Sequence, residues 1–227
     1  MNPAAAFPQR HTTVDVVIFT VADSALRVLL SRRPPDPSEP YPATPCLPGG
    51  YIDIAQDATL YDCALRKLRE KTGFAAPYLE QLGSWGSAGR DPRGWTATHV
   101  YFALVPPPPD AAAWPQADAA CAQPLAFDHN DILRTALARL RSKVEYTSLP
   151  AFLLAEPFTL PQLQRVYEII LGRALDKSAF RKRTRDAGLL VEDGMTSGGF
   201  GRNAMGYRLT QRDSAIHFPR PFRSGEQ

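Results

Sequence analysis

No apolar run in this chain approaches the roughly 20 residues that span a bilayer, which argues against a membrane protein. Cysteine is equally scarce. Cys46, Cys63 and Cys121 are the whole complement in 227 residues, odd in number, widely spaced, and without the paired pattern of a zinc site or a disulfide framework. They read as reduced packing residues. The first ten residues lack the basic start and long apolar stretch of a secretory signal, so the expected location is the cytoplasm. Excess of one charge is also missing from the chain as a whole, whose formal net charge is +3. It is present locally: Thr159 to Gln227 carries twelve Lys or Arg against seven Asp or Glu, whereas residues 1–158 carry fourteen against sixteen. A basic C-terminal third points to nucleic acid or another anionic surface.

The length exceeds a typical domain of about 100 to 150 residues, and the pattern divides it in two. Val14–Thr20 and Leu26–Ser31 are short aliphatic runs around the polar pair Asp23-Ser24, which predicts a hairpin. Seven prolines between Pro34 and Pro48 exclude a central strand or a helix interior there. A helix is expected from about Thr59, with Leu60, Ala64 and Leu68 on one face and Gly73 as its stop. Leu79–Trp85 and Thr96–Val105 read as strands. The tetraproline Pro106–Pro109 opens what reads as a loop to about Phe127, followed by a helix capped by Asn130 and buried through Ile132, Leu133, Ala136, Leu137 and Leu140. The first unit is read as residues 1–145 and the second as 146–227, with Tyr146–Pro150 as the junction.

Leu47–Phe74 (LPGGYIDIAQDATLYDCALRKLREKTGF) resembles the Nudix box, whose usual form is G-x5-E-x7-R-E-U-x-E-E-x-G-U with U aliphatic. Gly50, Arg66, Leu68, Glu70, Gly73 and Phe74 match, with two extra residues between Gly50 and Arg66. The hydrolytic chemistry of that family needs several carboxylates on one helix face to hold magnesium against a diphosphate. Here Lys67 and Lys71 stand at two glutamate positions and Gln56 at a third. One glutamate flanked by lysines supports at most a weak magnesium site at Glu70, so no catalytic residue is assigned and no cofactor is required. A positive patch can still neutralise a diphosphate. Gly89–Trp95 contains RDPRGW, which resembles a loop of Nudix proteins of the ADP-ribose type; its arginines can pair with phosphates and Trp85 or Trp95 can stack on a base. The candidate ligand set is therefore Arg32, Arg33, Gly49, Gly50, Arg66, Glu70, Arg90 and Arg93.

Beyond the junction, Leu149–Ala155 is a short apolar helix candidate. Thr159-Leu160-Pro161-Gln162 has the cap, proline and capping-box glutamine of a helix start, with Leu163, Val166, Tyr167 and Ile170 as its stripe and Gly172 as its stop. Asp176 can cap a second helix, Lys177–Ala187, that turns Phe180 and Thr184 inward and leaves Lys177, Arg181, Lys182, Arg183 and Arg185 outside. Leu189–Val191 and Tyr207–Thr210 then read as strands joined by a Gly-rich link containing Arg202. A helix, a short turn, a basic helix and a hairpin make a winged helix-turn-helix that reads DNA, and the six cationic residues just named are the candidate contacts.

Order and spacing together resemble the Nudix-related transcriptional regulators of NAD metabolism. The resemblance implies an α+β chain: an N-terminal Nudix α/β/α sandwich followed by a C-terminal winged helix. It implies a homodimer that binds a palindromic double-stranded DNA operator and responds to ADP-ribose or a related nucleotide. Two alternatives stay open: an active Nudix hydrolase whose C-terminal part serves oligomerisation, and a sensor of a non-nucleotide metabolite such as a sugar.

Overall fold

Two apolar runs, Val14–Phe19 and Val100–Val105, form the centre of a five-stranded mixed sheet in the computed structural model, which describes residues 11–74, 78–197, 203–218 and 222. Strand β1 (His11–Ala22) turns back antiparallel into β2 (Ala25–Val28). The turn pair Asp23 and Ser24 has φ of 48° and 57°, the left-handed pair that suits a two-residue hairpin. β3 (Ser31–Arg32) and β4 (Pro45–Cys46) bracket the proline-rich loop, and β5 (Gly49–Tyr51) returns to pair with β1. Helix α1 (Leu60–Thr72) follows, closed by a capping box from Thr59 to Asp62 and by Gly73 at φ 71°. β6 (Tyr78–Asp91) and β7 (Gly94–Leu104) form a long antiparallel hairpin whose turn is the RDPRGW segment, and β7 lies parallel to β1.

Strands covered on both faces read as continuous apolar runs rather than alternating ones. Val14, Val16 and Ile18 face the helix α1 side with Cys63, Ala64 and Leu68. Val17 and Phe19 face the other side with Ile132, Leu133 and Leu140 of α3 (His129–Val144). The result is a helix, a sheet and a helix in three layers.

Two expectations need correction. The stretch after the prolines is not one open loop: it holds a 3₁₀ turn at Ala111–Ala113 and helix α2 (Ala117–Ala122), because runs of alanine carry high helix propensity and Ala117 and Ala120 are fully buried. Asn130 does not cap α3. The helix begins two residues earlier than such a cap implies, at His129, with Asp128 at its boundary. The Asn130 side chain accepts from the Leu125 N–H at 2.9 Å and donates to the Gln123 carbonyl at 2.8 Å, so it staples the preceding loop.

The remaining elements form a winged helix. A 3₁₀ turn (Leu149–Leu153) precedes α4 (Leu160–Leu171), which carries the expected capping box and ends at Gly172 with φ 68°. Asp176 caps α5 (Lys177–Asp186) by accepting from the Ala179 N–H at 2.7 Å. β8 (Leu190–Ser197) and β9 (Asn203–Leu209) make the wing, with longer strands than expected. Apolar contact is continuous from the sheet through α3 to α4, α5 and Phe222. The segment after the wing pairs with the junction at backbone level: Ser148 N–H donates to Ile216 O at 2.9 Å, Phe218 N–H to Tyr146 O at 2.7 Å and Phe222 N–H to Glu145 O at 2.8 Å, the last reaching the end of the first unit. Among the described residues no helix is long and apolar enough to cross a membrane.

Candidate functional site

A small cleft of about 110 Å³ opens where β5, the β6–β7 turn and the N-terminus of α3 meet, walled in part by Arg33, Gly50, Tyr51, Arg93 and Phe127. Of the eight candidate ligand residues, five line it: Arg33, Gly49, Gly50, Arg90 and Arg93. Arg32 does not. Successive strand residues point to opposite sides, and Arg32 leaves on the other face of β3, donating to the Ala43 carbonyl at 3.0 Å. Trp85 packs at the edge of the core and Trp95 is half exposed; neither lines the cleft. The aromatic wall is instead Phe127 and Tyr51, with Tyr41 edge-on to Phe127 at 4.9 Å and the Arg33 guanidinium 5.2 Å from its ring centre. Phe127 and Tyr41 both have φ of 57°, a strained conformation for such residues that clusters at functional sites.

The cleft floor is a buried charge network that sequence reasoning missed. Arg90 donates to Asp15 and to Asp128, each at 3.0 Å, and Thr98 donates to Asp15 at 2.8 Å. His129 accepts the Leu47 N–H on Nδ1 at 2.9 Å, leaving Nε2 to carry the proton 3.7 Å from Asp15. Burial alone would raise the Asp15 carboxyl; its polar surroundings, His129, Arg90 and Thr98, outweigh it and hold the group below the usual carboxylate range. Gly49 is glycine because of this network: a Cβ there would stand 1.8 Å from Asp15 Oδ1. The one legible signal was an aspartate inside the apolar run VDVVIF.

At the rim the cations are already partnered. Arg33 pairs with Glu39 at 2.8 Å, and Arg93 with Asp91 at 2.8 Å and Glu39 at 3.2 Å. Unlike Arg90, whose side chain is 5% exposed, Arg93 is 42% exposed and free to exchange one carboxylate for a phosphate. Its bond to Asp91, ahead of burial, holds that carboxyl below the usual range.

The α1 residues Arg66 and Glu70 lie outside the cleft lining. Arg66 grips Asp57 with two donors, at 2.8 and 2.5 Å, and Glu70 with a third at 2.8 Å. The Arg66 bonds hold Asp57 far below the usual carboxylate range, against its burial, and pull Glu70 down as well. Asp53 is taken by Gln56 at 2.5 Å and by the Ala55 N–H at 3.0 Å. Among the described residues no three His, Cys, Asp or Glu side chains gather to hold a metal ion.

On α5, Lys177, Arg181, Lys182 and Arg185 are exposed, and the i, i+4 row Lys177–Arg181–Arg185 runs along one face beside the groove that Arg181 and Arg185 share with Leu190 and Tyr207 of the wing. Arg183 departs from the expectation. It is half buried, its guanidinium 4.0 Å above the Phe222 ring, because residue 183 follows Phe180 by three and so shares its inward face. Burial lowers its pKa. Arg202 lies outside the described residues. Arg208 on β9 is exposed and pairs across to Val191, a basic wing position that the sequence reading passed over.

A three-layer ligand cleft joined to a winged helix with a basic second helix defines the class of DNA-binding regulators with a small-molecule domain. The comparisons agree: residues 9–145 match the NUDIX domain family and residues 150–209 match the NrtR DNA-binding winged helix domain. The chain is 43% identical over 222 residues, 94% of its length and 88% of the relative's, to the ADPR responsive transcriptional repressor NtrR of Acinetobacter baylyi. The crystal structure of Shewanella oneidensis NrtR complexed with a 27mer DNA superposes with a TM-score of 0.84 at 39% identity, covering 93% of this chain and 99% of that one. The NUDIX domain of the same protein complexed with ADP ribose aligns with a TM-score of 0.53 at 39% identity, over 60% of this chain and 91% of that one. The chain belongs to the NrtR family of Nudix-related transcriptional regulators.

Proposed function

We propose that the chain is a repressor that binds a palindromic operator as a homodimer and releases it on binding ADP-ribose or a closely related nucleotide, with residues 1–145 as the sensing unit and 146–227 as the DNA-binding unit. The observation that carries the reading is the exposed cationic row of α5 beside the wing, in a chain whose cleft presents Arg33 against the Phe127 ring and Arg93 in its wall. The arginines suit a diphosphate, and the ring, held at positive φ, suits a stacked base. Phosphate contacts from Lys182 and base contacts from Lys177 or Arg181, nearer the helix N-terminus, fit the geometry of such helices. An effector of this type links the regulator to genes that handle NAD.

Hydrolysis does not belong to this reading. The magnesium of Nudix hydrolases does not fit the residues present: Asp53, Asp57 and Glu70 are each held by internal donors, and Lys67 and Lys71 flank Glu70. Fluorescence anisotropy on DNA from upstream of its own and neighbouring genes, with and without ADP-ribose, tests the whole proposal. Tight operator binding that ADP-ribose reverses, with no ADP-ribose consumed faster than in a Glu70→Gln control, is expected. Magnesium-dependent turnover near or above about 1 s⁻¹, an ordinary enzymatic rate, would overturn it in favour of a hydrolase.

A further inference from the structure

Lys67 occupies a position where Nudix hydrolases carry a glutamate, and its surroundings give it a task. The side chain is 16% exposed, and its Nζ lies 3.5 Å from Glu70 Oε2. That is longer than a good N–H···O bond, whereas Arg66 holds the other Glu70 oxygen at 2.8 Å. Glu70 is anchored chiefly by Arg66, and its longer ion pair with Lys67 leaves ammonium donors to spare. The ammonium sits 3.3 Å from the point that a Cβ on Gly50 would occupy, and Gly50 is part of the cleft wall. Lys67 therefore sets one ammonium group against the glycine loop, on the helix where hydrolases carry their metal-binding glutamates.

We propose that Lys67 replaces the divalent ion as the countercharge for the ligand's diphosphate, a tethered cation that lets the cleft hold a nucleoside diphosphate sugar without metal. An ammonium supplies a point charge and three rotatable donors. It neither coordinates a water molecule nor lowers its pKa, which is what a catalytic metal does to make a nucleophile. The same substitution thereby supports binding and withholds cleavage. The inference rests on the ADP-ribose reading above and goes beyond it in assigning the electrostatic role to one side chain.

Calorimetric titration of the full chain with ADP-ribose, in EDTA and in magnesium chloride, is the test. The wild type should bind equally in both buffers. Lys67→Met, which keeps the aliphatic stem beside Gly50, should bind about 10- to 100-fold more weakly, the size of a lost charge-assisted hydrogen bond. Lys67→Arg should stay near wild type, and Lys67→Glu should lose binding in EDTA and regain part of it with magnesium. Wild-type affinity that collapses in EDTA, or a Lys67→Met variant that binds like wild type, overturns the inference and leaves the ADP-ribose reading standing. No binding by the wild type in either buffer removes the ADP-ribose reading, and the role of Lys67 with it. Circular dichroism spectra matching the wild type establish that the variants fold, and the arginine variant separates loss of charge from loss of packing.

Discussion

Arginines of similar appearance in the sequence divide by burial into two kinds, and the division predicts opposite phenotypes. Arg90 sits beneath the cleft between Asp15 and Asp128. Removing it leaves carboxylates without their cation in a buried setting, a loss of about 3–5 kcal/mol in comparable cases. Arg90→Ala should therefore melt many degrees below wild type. Arg93, at the rim, is 42% exposed and pairs with the exposed Glu39 and the buried Asp91; its exposed pair is worth only about 0–1 kcal/mol, and Asp91 keeps the residue-93 N–H when the side chain is removed. Arg93→Ala should lower the melting temperature less than Arg90→Ala does and weaken ADP-ribose binding measured by titration; the reverse pattern would exchange the two assignments. The sequence showed the cations but not their partners. Asp15, Asp91 and the adjacent pair Asp128 and His129 come from three separate segments, and only the sheet register and the start of α3 bring them to one place.

Elements were more legible than their inner faces. The capping box at Thr159, the helix start near Thr59, the glycine stops at Gly73 and Gly172 and the Asp23-Ser24 turn all follow from local chemistry, which a single sequence displays directly. Arg183 shows the limit. Its i+3 spacing from Phe180 marks the inward face, yet the ring that receives it belongs to Phe222, far along the chain. Such a pair is decided by tertiary contact. The exposed row makes a salt-dependent prediction: each phosphate contact releases counterions, so Lys182→Ala should lower operator affinity and reduce the slope of log K against log salt by about 1. Arg183→Ala should instead lower thermal stability and leave that slope unchanged. Mobility shifts over a salt series read both, and an Arg181→Ala, Lys182→Ala double variant that folds and binds like wild type would remove α5 as the reading helix.

At the scale of the whole molecule, the cleft and the reading helix are joined by one continuous apolar core rather than by a flexible linker. α3 starts at the cleft with His129 and, near its other end, Arg141 donates to the Ile170 carbonyl of α4 at 3.3 Å. Arg173 of the winged helix holds Glu145 at 3.0 Å and the Phe222 carbonyl at 3.1 Å. Phe152, Tyr167, Phe180 and Phe222 extend the cluster that begins with Phe19 and Phe102 under the sheet. Fully buried side chains of this size contribute about 1.5–3 kcal/mol each, so neither unit can open without exposing part of the other. Differential scanning calorimetry of the full chain should accordingly give a single transition. A ligand that binds only the folded form stabilises by RT ln(1 + [L]/Kd), about 2.7 kcal/mol at one hundred times Kd, so saturating ADP-ribose should raise that transition as a unit. Phe222→Ala, which removes a ring from the seam, should lower the transition and begin to split it. Two wild-type transitions, of which ADP-ribose moves only one, would show that the units unfold independently, and the effect of ligand on DNA would then need a route other than the shared core.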